Sequence, residues 1–424
     1  MKKTVDVTVR ALASGGAGVA DLPDGRVVFV QRTAPGDVAR VRIGKSRPRW
    51  AEASVERLIE ASPDRVDPPC PVYDTCGGCR LQHIPHTVQL EWKGRWISDA
   101  LTRIGGMPGV APPEVVESPD DFGYRSRVTF TLRRLKGGYV VAGYHALGRP
   151  AHVIDVKACP LAEAPISEAW TALRGGWGDG ATRLPGGGRL RLTLRNAQGG
   201  VELLVEGGAA GWDAAPLLAA VPTLTAAWHR PGATEESDGH PILVAGTPTA
   251  GGGVSFEQVN RDAAELLRTH VLRRIEESHP EPGRAVDAYC GVGVYGRELA
   301  ARGWSVLGIE SDPVAVEEAQ REAPEGFEAT VGLVATTLPD ALPADLLVVN
   351  PPRQGLESGV VDEILASPPS VLVYVSCDPG TLARDLKGLA PGYVLSDVAA
   401  FDLFPQTAHV ESVAILSRIE GEGP

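Results

Sequence analysis

The sequence predicts an α/β protein: a doubly wound, Rossmann-like C-terminal domain, preceded by an N-terminal OB-like β-barrel and a small central α+β domain that carries a four-cysteine metal site. Two observations predict the outer domains. Towards the C-terminus, the apolar runs Ala285-Val286-Asp287-Ala288-Tyr289, Ser305-Val306-Leu307-Gly308-Ile309-Glu310, Leu346-Leu347-Val348-Val349-Asn350 and Ser370-Val371-Leu372-Val373-Tyr374-Val375-Ser376 alternate with helical stretches. Such runs read as parallel strands buried on both faces. Near the N-terminus, Val5-Asp6-Val7-Thr8-Val9, Arg26-Val27-Val28-Phe29-Val30 and Asp37-Val38-Ala39-Arg40-Val41-Arg42 are separated by Gly-Gly, Asp-Gly and Pro-Gly turns. Period-two alternation with turns of that kind makes a small barrel. The expected domains are 1–60, 61–255 and 256–424.

The first segment holds ten Lys and Arg against four Asp within fifty residues, a charge of +6 in a chain whose total is −12. That total argues against wholesale coating of a nucleic acid. A basic module on an acidic body suits a locally docked polyanion, and a solvated basic face equally. Beyond Pro63 comes a cysteine cluster, then a helix over 87–104 in which Val88, Trp92, Trp96, Ile97 and Leu101 share one face; we expect it to pack on the C-terminal domain. From Tyr124 to Leu243 alternating strands and Gly-rich turns suggest a small sheet. A further helix from Arg261 to Glu277 opens the strand–helix alternation, which is expected to run to the C-terminus. No stretch approaches the roughly 18 apolar residues of a membrane span, and Met1-Lys2-Lys3-Thr4 leads into an alternating run, not a signal-peptide core. A soluble, cytoplasmic protein is expected.

The six cysteines fall in three settings. Cys70, Cys76 and Cys79 follow C-x5-C-x2-C and, with the distant Cys159-Pro160, offer four thiolates. In a reducing compartment that pattern reads as a metal site before a disulfide framework. Four thiolates suit zinc or an iron-sulfur cluster, and spacing leaves the choice open. Cys290 lies in a glycine-rich loop, Tyr289-Cys290-Gly291-Val292-Gly293-Val294-Tyr295-Gly296, between a strand and a helix. Gly291 and Gly293 let such a loop turn tightly against a ligand, and Glu310, ending the next strand about 20 residues on, can accept from ribose hydroxyls. A nucleotide-like cofactor is favoured. Cys377 and Asn350 each follow a parallel strand, so both belong to the carboxyl edge of the sheet, where open α/β folds bind ligands.

Five motifs then occur in family order: Phe256-Glu257-Gln258-Val259-Asn260, Asp287-Ala288-Tyr289-Cys290-Gly291, Asn350-Pro351-Pro352-Arg353, Ser376-Cys377-Asp378-Pro379-Gly380-Thr381-Leu382-Ala383-Arg384-Asp385, and Phe404-Pro405-Gln406-Thr407-Ala408-His409-Val410-Glu411. With them the chain resembles the uracil-C5 RNA methyltransferases, and its barrel resembles the TRAM domain. The resemblance implies S-adenosylmethionine as cofactor, held by Gln258, Tyr289, Gly291, Gly293, Glu310 and Asn350. It implies Cys377 as the nucleophile that adds to uracil C6 and Glu411 as the general base that removes the C5 proton. It implies a four-iron four-sulfur cluster, over zinc, on Cys70, Cys76, Cys79 and Cys159, and RNA contacts from Arg125 and Arg127. The expected product is 5-methyluridine in 23S ribosomal RNA; alternatives are a transfer RNA uridine and a catalytically weakened RNA-binding or assembly factor. No membrane or protein partner is implied. One departure stands out: the family has Asp where this chain has Asn350. An Asn amide can accept from uracil N3–H while donating to O4, which suits the neutral base.

Overall fold

The computed structural model describes residues 4–197, 199–232, 240–249 and 258–419. Two compact units share the chain discontinuously: the first comprises Met1–Pro85, Asp120–Val254 and Val259–Arg261, the second His86–Pro119, Ser255–Gln258 and Asp262–Pro424.

In the first unit, β1 (Thr4–Leu12), β2 (Gly18–Asp21), β3 (Val27–Val30), β4 (Val38–Ser46) and β5 (Trp50–Glu60) close into a barrel in the order β1-β2-β3-β5-β4. Alternation dictates the two faces: Val7, Val28, Val30, Val41 and Ala51 fill the interior, while the intervening polar residues face water. Much of the positive charge read in this segment is matched on the surface, by Arg10–Asp21, Arg40–Asp6 and Arg42–Glu56 pairs. Exposed pairs of this kind add little stability.

The second unit opens with α1 (His86–Arg103) and the short β6 (Val115–Val116). The chain then builds the first unit's sheet from β7 (Arg127–Arg134), β8 (Val140–Gly143), the hairpin β9 (His145–Ala146) and β10 (Arg149–Val153), α2 (Ala164–Gly176), β11 (Arg189–Ala197), β12 (Gly200–Glu206), α3 (Ala215–Ala220), β13 (Leu224–Arg230) and β14 (Ile242–Gly246). Six of these strands pair in the order β14-β13-β12-β11-β7-β8. Val128, Phe130 and Leu132 from β7 and Leu190, Leu192 and Leu194 from β11 bury one face under α2, where Trp170 stacks on Phe130 at 3.9 Å between ring centroids.

The second unit resumes with α4 (Arg261–Ser278), β15 (Arg284–Ala288), α5 (Val294–Ala300), β16 (Ser305–Glu310), α6 (Pro313–Gln320), β17 (Phe327–Val331), α7 (Val334–Ala341), β18 (Leu346–Val349), α8 (Val360–Ala366), β19 (Val371–Ser376), α9 (Pro379–Leu389), β20 (Tyr393–Phe401) and β21 (Glu411–Arg418). Its sheet runs β17-β16-β15-β18-β19-β21-β20-β6. Strands β15 to β19 pair in parallel, and the order reverses at β15, the switch point at which such sheets bind ligands. Two cores cover its faces. One holds Ile97 and Leu101 of α1 with Val286, Leu347 and the residues of α7 to α9; the other holds Leu267 and Val271 of α4 with Ala285, Leu346 and Val348. Consecutive strand residues thus enter opposite cores, which is why these strands read as unbroken apolar runs.

The end of the chain departs from the expected strand–helix alternation. β20 and β21 form an antiparallel pair, with β21 inserted between β19 and β20. The nine residues between them, 402–410, are too few for the crossover that a parallel return needs. No helix among the described residues is long and apolar enough to cross a membrane.

Candidate active site

The carboxyl edge of the parallel strands gathers the residues that carry chemistry. The Gly291 loop follows β15, Glu310 ends β16, Asn350 follows β18 and Cys377 follows β19. Glu411 arrives by a different route. In the antiparallel pairing of β19 with β21, Ser376 lies opposite Ser412, so the next step along each strand sets Cys377 against Glu411. The antiparallel last strand is therefore what delivers a carboxylate to this edge.

Glu411 is 4% exposed. Burial pushes its carboxyl up to about 7, with the Arg353 charge opposing; a desolvated carboxylate disfavours its charged form. The Cys377 thiol is half-buried, and burial raises it above the ordinary thiol range, the Glu411 charge adding and the Arg353 charge opposing. Asp378 caps α9, its Oδ1 accepting from the N–H groups of Gly380 and Thr381 at 2.9 Å each. Cys377 thus sits immediately before the capped helix. Arg353 reaches His409 Nε2 at 3.3 Å. Nucleophile and carboxylate accordingly share one cation.

The glycine loop makes an open turn at this edge. Gly291 has a φ of +56° and no heavy atom within 4 Å of where a side chain would begin. Gly293, at φ +78°, is packed instead, since a Cβ there would lie 2.8 Å from Phe327 Cζ. Glu310 braces the loop: Oε2 accepts from Gly291 N–H at 3.1 Å, and Oε1 accepts from Ser311 and Asp312. A carboxylate has about four lone-pair positions, so Oε2 retains capacity for a ribose hydroxyl. Tyr289 holds a left-handed φ of 61°, and its hydroxyl accepts from Glu357 N–H at 3.4 Å. Asn350 is half-buried, its N–H on Ala288 O at 3.3 Å. Gln258 is partly buried and is the first described residue after the segment 250–257; its motif neighbours Phe256 and Glu257 lie outside the described residues.

Sequence reasoning gave no role to two residues here. Asp287 is fully buried in β15, with Oδ2 on Gly296 N–H at 2.8 Å, Oδ1 without a hydrogen-bond partner, and a carboxyl that burial pushes up to about 7. A charged residue inside an apolar strand was the signal. Arg353 was visible only as part of a motif; its influence on both reacting groups needs the fold.

In the first unit, Cys70, Cys76, Cys79 and Cys159 line a single cavity of about 60 Å³. Arg32 fixes the cysteine loop, donating to the carbonyls of Tyr73, Cys76 and Cys79. Among the described residues no three His, Cys, Asp or Glu side chains converge on a position that holds a metal ion. The same cavity is lined by Gln82, which lies on the Cys79 thiol, and by Arg125, whose Nε is buried without a hydrogen-bond partner. A buried guanidinium N–H without a partner beside four thiols fits an acceptor-rich occupant. Arg125 therefore faces the cysteines, whereas Arg127 begins β7 opposite Arg195 of β11.

Comparison with known proteins decides the family. Residues 338–419 match the model described as tRNA (Uracil-5-)-methyltransferase, and residues 2–55 match the TRAM domain. An RNA methyltransferase of Gloeobacter violaceus, described as uncharacterized, is 35% identical over 98% of this chain and 97% of its own. The 23S rRNA (uracil(1939)-C(5))-methyltransferase RlmD of Chromohalobacter salexigens is 34% identical over 97% of this chain and 89% of its own.

The chain belongs to the uracil-C5 RNA methyltransferase family.

Its reaction is S-adenosylmethionine-dependent methylation of uracil C5 in RNA. The crystal structure of Pyrococcus abyssi tRNA (uracil-54, C5)-methyltransferase with S-adenosyl-L-homocysteine superposes with a TM-score of 0.69, at 26% identity, covering 97% of this methyltransferase and 100% of that chain.

Proposed function

We propose that this methyltransferase is a cytoplasmic enzyme that forms 5-methyluridine in 23S ribosomal RNA, with Cys377 as nucleophile and Glu411 as general base. The observation that carries the catalytic assignment is the β19–β21 register, which sets Cys377 against Glu411 with Arg353 acting on both. Uracil C5 is a poor nucleophile until C6 is attacked. The Cys377 thiolate adds to C6 and pushes electron density onto O4 and C5, and the Arg353 charge favours that thiolate. S-adenosylmethionine, when bound, supplies the methyl group that C5 takes. Glu411 then removes the C5 proton; the C–H pair re-forms C5=C6, the C6–S bond breaks and Cys377 leaves as thiolate. A carboxyl near 7 is matched to that task. The Gly291 loop and Glu310 would hold the cofactor, with Gln258, Tyr289 and Asn350 as further contacts. The base must be unstacked for Sγ to reach C6 from above the ring.

The choice of 23S ribosomal RNA rests on likeness to the RlmD relatives over nearly the whole chain; a transfer RNA is the second reading, favoured by the Pyrococcus likeness. Arg127 is proposed as an RNA contact. For the cysteines we propose a four-iron four-sulfur cluster. A lone tetrahedral zinc, with Zn–S near 2.3 Å, would draw the four sulfurs to about 3.8 Å of one another, whereas these thiols surround a cavity that also takes in the unpartnered Arg125 Nε. Arg125 would then face the cluster, with RNA contact left to Arg127.

Full-length enzyme should form a denaturation-resistant complex with RNA containing 5-fluorouridine, in which fluorine blocks the proton step, and Cys377→Ala should not. Mapping 5-methyluridine in cells with and without the gene identifies the RNA: a loss confined to transfer RNA selects the second reading. Absence of both the complex and any lost 5-methyluridine would instead support an RNA-binding factor whose chemistry Asn350 has weakened.

A further inference from the structure

The second unit buries a charged cluster that this reaction does not use. Lys93, on α1, is 0% exposed, and its ammonium donates to Asp402 Oδ1 at 2.5 Å and to Phe404 O at 3.2 Å. The other Asp402 oxygen meets His86 Nε2 at 2.8 Å, and His86 Nδ1 lies 3.1 Å from Glu117. One helical turn from Lys93, on the same face, Gln89 Nε2 donates to Gln406 Oε1 at 2.9 Å while Gln89 Oε1 accepts from Gln406 N–H at 3.1 Å. Apart from the His86–Glu117 pair, these α1 contacts fall on residues 402–406, the start of the connection between β20 and β21.

That connection carries the base. Gln406 adopts a left-handed φ of 66°, a conformation that non-glycine residues hold only when their surroundings impose it. Beyond it, Thr407 Oγ1 donates to Phe404 O at 2.7 Å and accepts from His409 N–H at 3.3 Å. The His409 ring then meets Arg353 and the edge of Phe404, and two residues later the chain reaches Glu411. A buried ion pair is poor value for stability alone, since well-packed apolar residues often serve as well. Apolar residues, however, cannot direct a bond at a main-chain carbonyl such as Phe404 O, nor bond a main-chain N–H such as that of Gln406.

We propose that Gln89, Lys93 and Asp402 are positioning residues for proton abstraction: side chains of α1 fix segment 402–410, and through it His409 and Glu411, against the C5–H bond. The inference rests on Glu411 being the base. It predicts a fault in one step. Cys377 addition and methyl transfer proceed, but proton removal, and with it elimination of the thiolate, slows.

The test uses full-length enzyme, S-adenosylmethionine and RNA containing ordinary uridine, with methylated covalent complex followed on denaturing gels. Lys93→Met/Asp402→Asn, which leaves no buried charge unpaired, should accumulate complex that resolves on the order of 10- to 100-fold more slowly than wild type, with unchanged cofactor affinity. Lys93→Met alone should do the same. Gln89→Leu keeps the ion pair, and decides the matter should both of those variants fail to fold. Folded variants that release product at the wild-type rate overturn the proposal, as do variants in which formation and breakdown of the complex slow in equal proportion, the mark of a general structural role. Failure of wild type to trap 5-fluorouridine RNA would instead count against the catalytic reading itself.

Discussion

Glu411, the proposed base, ties the stability of the fold to pH through its burial. Burial pushes its carboxyl up to about 7, above the ordinary glutamate range, so the native state holds the proton more tightly than the unfolded chain does. Stability from this group is therefore present below the unfolded value and is lost as pH rises to about 7. Glu411→Gln escapes that loss, and at pH 8 the variant should unfold about 1–3 kcal/mol less readily than wild type, as chemical denaturation can measure. It should also stall with methylated RNA attached. In wild type the single-turnover rate should rise as pH passes about 7, where Glu411 ionises, and continue upward because burial raises the Cys377 thiol. A flat profile between pH 6 and 8 would remove Glu411 from the role. Cys377 was legible in the sequence because its surrounding motif is distinctive. Glu411 was legible only through the family motif that ends on it, since nothing in its spacing marks it and its partner is set by an antiparallel register 34 positions away in the chain.

At the scale of elements, the β15–α5 turn separates two uses of glycine. Gly291 is open on its side-chain face, whereas Gly293 is packed against Phe327. Gly291→Ala should cost about 1 kcal/mol through its left-handed backbone, while weakening binding of S-adenosylhomocysteine by a larger factor, measured by calorimetry. Gly293→Ala should lower the melting temperature more, because the Phe327 ring must move. Equal effects on stability and affinity at both positions would contradict a division between cradle and packing. The strand runs of this unit were legible because burial on both faces leaves no alternation to misread. Helix α1 was legible too, from Trp96, Ile97 and Leu101; its buried Lys93 was not, since a lysine at helical spacing reads as solvated until Asp402 folds against it.

At the scale of the whole molecule, the chain crosses between its units more than once: residues 86–119 belong with the C-terminal domain, while the barrel, the cysteine loop and the sheet of β7 to β14 form the other unit. The cysteine cavity lies wholly in the latter. Protein purified without oxygen should be brown and contain about four iron and four sulfide per chain, and Cys159→Ser should lose both and melt at a lower temperature. Colourless protein with one zinc would overturn the cluster. Burial pushes the Cys79 thiol up to about 12, so assembly must displace protons and should weaken as pH falls. By itself the sequence determined the strand and helix pattern, the glycine loop and the motif around Cys377, because each depends on residues close together in the chain. Tertiary structure decided the rest: that β21 runs antiparallel and brings Glu411 to Cys377, that Arg353 serves both, that Arg125 faces the cysteines, and that Lys93 is buried on Asp402. Each of those depends on which distant strand or helix becomes a neighbour, and local pattern carries no record of that.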